Sequence, residues 1–109
     1  MTYQEVATMV ASIGVPYAYY QFPEGTAQPT PFVCFYFEGS NDLEADNTNY
    51  QRIRPLTIEL YTDNKDFALE ATVESVLNNA GLVYSREEAW IDSERMNMVS
   101  YTTSVVITG

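Results

Sequence analysis

The chain has 109 residues, with 15 acidic side chains against 5 basic ones, no histidine and a formal charge of −10. Its length is that of one ordinary domain, and a hydrophobic fraction of 46% is enough for a core, so a disordered acidic tail is excluded. The charge argues against tight phosphate-backbone binding, and the missing imidazole removes the usual general base, triad member and zinc ligand.

Thr2 to Ile13 reads as a helix. Thr2 and Glu5 stand at capping-box spacing, and Val6, Met9, Val10 and Ile13 recur every three or four residues to make one apolar face. Gly14 suits a left-handed stop, and Pro16 forbids continuation. Tyr17 to Phe22 follows as an aromatic strand, in which period two places Tyr17 and Tyr19 on one face and Tyr20 and Phe22 on the other. Pro23 to Pro31 contains Pro23, Gly25, Pro29 and Pro31 and reads as a long connection.

Phe32 to Phe37 (FVCFYF) is apolar at every position, which predicts a central strand covered on both faces. Glu38 to Asn49 is polar and reads as a turn or an extended hairpin loop. Arg52 to Thr62 is again a strand, with Leu56, Ile58 and Leu60 facing inward and Thr57, Glu59 and Tyr61 facing water. Asp63 to Ala80 reads as the second helix, capped by Asp63 or Asn64 and striped by Phe67, Leu69, Val73, Val76, Leu77 and Ala80. Gly81 closes it, and Leu82 is placed to pack back. Leu82 to Ile91 and Arg95 to Thr108 flank a hairpin turn at Asp92-Ser93-Glu94.

The element order α-β-β-β-α-β-β predicts one α+β domain over 1–109, an antiparallel sheet with two helices packed on one face. No apolar run reaches the roughly 18–20 residues that span a bilayer, so no membrane partner is expected. The start MTYQEV lacks a basic stretch followed by an apolar run, and no signal peptide is expected.

Few residues carry chemistry. Cys34, the lone cysteine, has no disulfide partner in the chain and sits inside FVCFYF, where a free thiol behaves as a small buried hydrophobe. Carboxylates are numerous, but most fall in loops or on helix faces such as that of Glu70 and Glu74, where solvation explains them. Asp42, Glu44 and Asp46 alternate like the first ligands of an EF-hand loop. The pattern then fails at Asn47, where glycine is needed, and at Ile53, where a bidentate Glu is needed. No phosphate-cradling glycine motif occurs. Neither a catalytic residue, nor a metal site, nor a cofactor is expected. What stands out is tyrosine, nine in all, with Tyr17, Tyr19, Tyr20 and Phe22 crowded together. Tyrosine is enriched at protein interfaces, so these four are candidate subunit contacts.

The strings PYAYYQFPEG, FVCFYFEGSNDLEADN and ELYTDNKDFALEA, together with the element order, resemble tail-component proteins of siphophages and prophages of Gram-positive bacteria, and among them the tail-terminator (tail-completion) proteins. The resemblance covers nearly the whole chain and carries no catalytic signature. It implies a homo-oligomeric ring, commonly a hexamer, that caps the tail tube at the head–tail junction. Its partners would be copies of itself, the major tail tube protein and a head-completion or connector protein, assembled in the host bacterial cytoplasm. An acidic stretch of Glu38, Asp42, Glu44 and Asp46 could line the channel and repel DNA phosphates as the genome passes. Another connector or head-closure role is the neighbouring alternative, and a small acidic ligand-binding or regulatory domain is the alternative from a different class.

Overall fold

The computed structural model describes residues 1–22, 28–39, 43–45 and 48–108. In chain order the elements are α1 (Tyr3–Ala11), β1 (Tyr17–Tyr19), β2 (Phe32–Phe37), β3 (Leu43–Ala45), β4 (Thr48–Thr62), α2 (Phe67–Asn79), β5 (Tyr84–Ile91) and β6 (Met96–Ile107). The expected order is present, with β3 a short extra strand inside the stretch read as a hairpin loop.

Five strands lie side by side as β1-β2-β4-β6-β5, and β3 pairs only with the start of β4. The long dimension of the molecule, 50 Å, is about the length of the 15-residue β4 at roughly 3.3 Å per residue. Only the later part of β4, from Leu56 to Tyr61, is flanked by β2. Its first residues therefore carry the β3 hairpin beyond the body of the sheet.

The sheet is mixed, which corrects the expectation of a purely antiparallel one. β1 runs parallel to β2, with Tyr17 opposite Val33 and Tyr19 opposite Phe35. A parallel pair needs a crossover of about a dozen residues, and residues 20–31 supply that length where a tight turn would have forced antiparallel pairing. β1 is also shorter than expected. Tyr20 takes φ 71°, a left-handed conformation that ends the extended run after Tyr19.

Both helices cover one face of the sheet. Thr2 caps α1: the Glu5 amide donates to the Thr2 hydroxyl at 3.0 Å, and the Thr2 amide donates to the Glu5 carboxylate at 2.8 Å. Gly14, at φ 93°, stops the helix. Val6, Met9, Val10 and Ile13 then pack with Val73 and Leu77 of α2 on a single set of alternating strand residues. That set is Val33 and Phe35 of β2, Leu56, Ile58 and Leu60 of β4, and Val99, Tyr101, Val105 and Ile107 of β6, all buried. The inward alternation of Leu56, Ile58 and Leu60 read in β4 is found, but the opposite side is not the wet face expected: Thr57 is buried, and Glu59 and Tyr61 are half-buried among the rings of the open face.

The second helix begins later than expected. Asp66 is the N-cap, its carboxylate accepting from the Leu69 amide at 2.9 Å, while Asp63 accepts from the Thr30 hydroxyl instead. This late start leaves Phe67 in the first turn, 74% exposed, with the Lys65 ammonium 4.9 Å above its ring rather than in the core stripe. Leu82 does pack back, donating its amide to the Leu77 carbonyl at 3.1 Å. β5 and β6 form the expected hairpin, closed where Ile91 pairs with Met96. Among the described residues no helix is long and apolar enough to cross a membrane.

β2 is next to the edge, not central, and among the described residues no second layer of elements covers its outer face. Cys34 is nevertheless buried on that face.

Candidate functional site

Three groupings of side chains go beyond what packing requires, and each is positioned by the sheet. The first is an aromatic patch on the helix side of the β1 edge. Period two turns Tyr17 and Tyr19 toward Phe35, whose ring centroid lies 6.5 Å and 5.3 Å from theirs. The Tyr19 ring also stacks near Phe37 at 6.3 Å, and its hydroxyl accepts the Phe37 amide at 3.3 Å. Tyr3 from the first turn of α1 meets the same Phe37 edge-on at 5.1 Å. Tyr3, Tyr17 and Tyr19 stay about half exposed, at 46%, 44% and 52%. Rings held in place by neighbouring rings and open to solvent are the composition of a binding patch, because little side-chain freedom remains to be lost. Tyr3 was missed in the sequence reading, since its position in the helix gives no sign that it lies beside Phe37.

The second grouping is on the open face of the sheet. Tyr20 lies 5.2 Å from Tyr36, and Phe22 lies edge-on to Phe32 at 5.4 Å. Tyr20 and Phe22 therefore share a face opposite Tyr17 and Tyr19, although the strand itself stops at Tyr19. Phe32 stacks on Tyr61 at 4.8 Å, and these rings with Cys34, Ile91 and Met96 bound a groove of about 570 Å³. Tyr61 and Tyr36 both donate to the Glu59 carboxylate, at 2.9 Å and 3.2 Å. Burial and this shared carboxylate push the Tyr36 phenol up to about 12 and raise that of Tyr61 as well.

Burial, with Glu59 nearby, also raises the Cys34 thiol above its ordinary value. Cys34 is expected to react with a water-soluble disulfide reagent only slowly at neutral pH in the folded protein, and at the rate of a free thiol once urea unfolds the chain. Stopped-flow absorbance measures both rates.

The third grouping was not foreseen. Glu70, read as a solvated helix carboxylate, is buried with 5% of its side chain exposed. It accepts from Lys65 at 2.8 Å and from Arg86, and Glu88 accepts from the same two cations at 2.8 Å and 3.3 Å. The Arg86 guanidinium also lies 3.7 Å from Glu74, which accepts the Tyr101 hydroxyl at 2.8 Å. The cluster ties the N-terminal half of α2 to β5. The signal available in the sequence was the alternation of Arg86 and Glu88, which puts both on the helix side of an edge strand.

Hydrogen bonding from Lys65 holds the Glu88 carboxyl below its ordinary value of 4.5. A depressed carboxyl stabilises the fold above that value and loses its contribution as pH falls through the folded one. Wild type is therefore expected to unfold at higher urea than Glu88→Gln at neutral pH. The gap should close as pH falls below 4.5. Comparing the two proteins cancels the repulsion among surface carboxylates that acid also relieves.

Of the acidic stretch, Glu38 is exposed beside β2 and Glu44 lies in β3, in register with Asn49 of β4; Asp42 and Asp46 are outside the described residues. Among the described residues, no three of His, Cys, Asp and Glu stand together as a cation site.

No family model matches the chain, and no curated protein matches it. Among solved structures, a chain of the virion of a native gene transfer agent (GTA) particle has a similar fold. The two superpose with a TM-score of 0.59 at 17% identity, over 98% of this chain and 91% of that one. At that identity the likeness is one of fold.

Proposed function

We propose that the chain is a structural protein of a phage-like virion and, within the virion, a tail terminator. In this role it closes the tail tube as a homo-oligomeric ring at the head–tail junction and offers the head a docking face. The observation that carries the reading is the shared fold with a chain of the gene transfer agent virion, over 98% of this chain and 91% of that one. The side chains support it from a second direction. The conspicuous features are an exposed aromatic patch and a projecting hairpin, both suited to contacts between proteins, whereas the lone thiol is buried and raised. The work is binding, with no substrate turned over.

Tyr17, Tyr19, Tyr20 and Phe22 contact neighbouring copies or the tube, and the acidic residues around Glu38 and Glu44 face the channel, where like charge keeps DNA from sticking. A second reading, a small ligand-binding domain, is favoured only by the groove over Cys34.

Electron microscopy of particles from a producing strain lacking this gene tests the proposal. Tails of uncontrolled length, unattached to heads, are the expected result. Particles of normal length and infectivity would refute it.

A further inference from the structure

We infer that copies of this chain join edge to edge, the outer side of β1 on one copy adding antiparallel to the outer side of β5 on the next. The inference rests on the reading that the chain assembles with itself, and it names the surfaces that meet.

Among the described residues, β1 and β5 are the two ends of the sheet, and neither has a partner on its outer side. β5 is open over most of its length, every residue from Ser85 to Trp90 being exposed. An open strand of this length presents a row of main-chain donors and acceptors to any strand that can reach it. β1 presents the complement. The Pro16 carbonyl accepts from Val33 at 2.9 Å and the Tyr20 amide donates to Phe35 at 2.8 Å, so these residues direct their main-chain groups toward β2. Main-chain groups alternate along a strand, so Tyr17 and Tyr19 direct theirs away from it. The Tyr19 carbonyl is taken by the Gln21 amide at 2.8 Å. Among the described residues, nothing takes the Tyr17 amide and carbonyl or the Tyr19 amide, which remain for a neighbour.

Direction and face agree as well. β1 is parallel to β2, and β2, β4, β6 and β5 are successively antiparallel, so β1 and β5 run in opposite senses. A neighbour placed beside this copy with its helices on the same side therefore meets it in the antiparallel arrangement. Tyr17 and Tyr19 then come alongside Arg86, Glu88 and Trp90, which share the helix side of the sheet. A tyrosine face beside a guanidinium, and rings beside Trp90, are favourable cross-strand pairs. Charge selects the same partner. Copies at −10 repel, but Tyr-Ala-Tyr is uncharged and meets the one edge that carries Arg86. Two β5 edges would instead bring Glu87 and Glu88 together. Because the two edges differ, the contact is head-to-tail and propagates until it closes.

Cysteine cross-linking on a Cys34→Ser background tests this, with Ala18→Cys combined with Ala89→Cys or with Ser85→Cys to cover neighbouring registers. Oxidation of a concentrated solution is expected to give a ladder of covalent multimers from at least one double variant and monomer from each single variant. Dimers from Ala89→Cys or Ser85→Cys alone would mean that β5 pairs with β5, and would overturn the inference. In the unsubstituted protein, exchange of the Tyr17 and Tyr19 amides is expected to slow about tenfold as concentration brings on association. Association seen by sedimentation without that slowing, and without the ladder, would overturn the edge contact and leave the ring standing. A chain that neither associates nor cross-links would count against both.

Discussion

Replacing Leu60 by alanine is expected to cost about 3–4 kcal/mol of unfolding free energy. Leu60 is fully buried in β4, and its register partners on either side, Val33 and Val99, are at 0% and 1% exposure. Both neighbours are β-branched and held in strands, so neither can turn into the space left behind, and the cavity persists. Domains of this size have only about 5–15 kcal/mol in total, so the loss is a large share of it. Urea unfolding measures the effect. Val106→Ala is the control: Val106 is 41% exposed, lies on the face without helices, and should change stability by no more than about 0.5 kcal/mol. Similar midpoints for the two variants would mean that the core is not where the structure puts it.

Arg86→Met is expected to cost about 2 kcal/mol, and Arg86→Met with Glu70→Leu to recover much of that loss. Removing one partner of a wholly buried pair costs roughly 3–5 kcal/mol, because a charge is left without compensation. The effect here is smaller, since Arg86 is 35% exposed and Lys65, at 29%, stays on Glu70. It does not vanish, because Glu70 Oε2 is buried without a hydrogen-bond partner among the described residues and its carboxylate depends on what Oε1 receives. The double variant removes the stranded charge and replaces it with apolar volume. Unfolding curves for the two single variants and the double one decide the point; a double variant as unstable as the sum of the singles would contradict it.

The helix face of the sheet was legible in the sequence because it obeys simple periods. Val6, Met9 and Val10 repeat as a helix stripe, and Leu56, Ile58 and Leu60 alternate as a strand, each set facing the same core. The Thr2–Glu5 box was legible because capping depends on residues three apart. What escaped depends on residues distant in the chain. Nothing local shows that β1 lies parallel to β2, since that follows from how residues 20–31 cross over. The burial of Glu70 is set by Lys65 and Arg86, the latter sixteen residues away on another element. Phe67 looked like core by its type and spacing, but the Asp66 cap starts the helix too late for its ring to reach the sheet. Tyr17 and Tyr19 share the helix face because side-chain alternation holds even in a three-residue strand, whereas Tyr20 and Phe22 reach the other face from beyond its end, after the left-handed Tyr20.

The claim on which the rest depends is that the chain is built into a particle. Quantitative mass spectrometry of gradient-purified particles from a producing strain measures this directly. The expected result is the chain in every preparation, at the copy number of a single ring relative to the major tail protein. Intact particles that contain none of it would contradict the account.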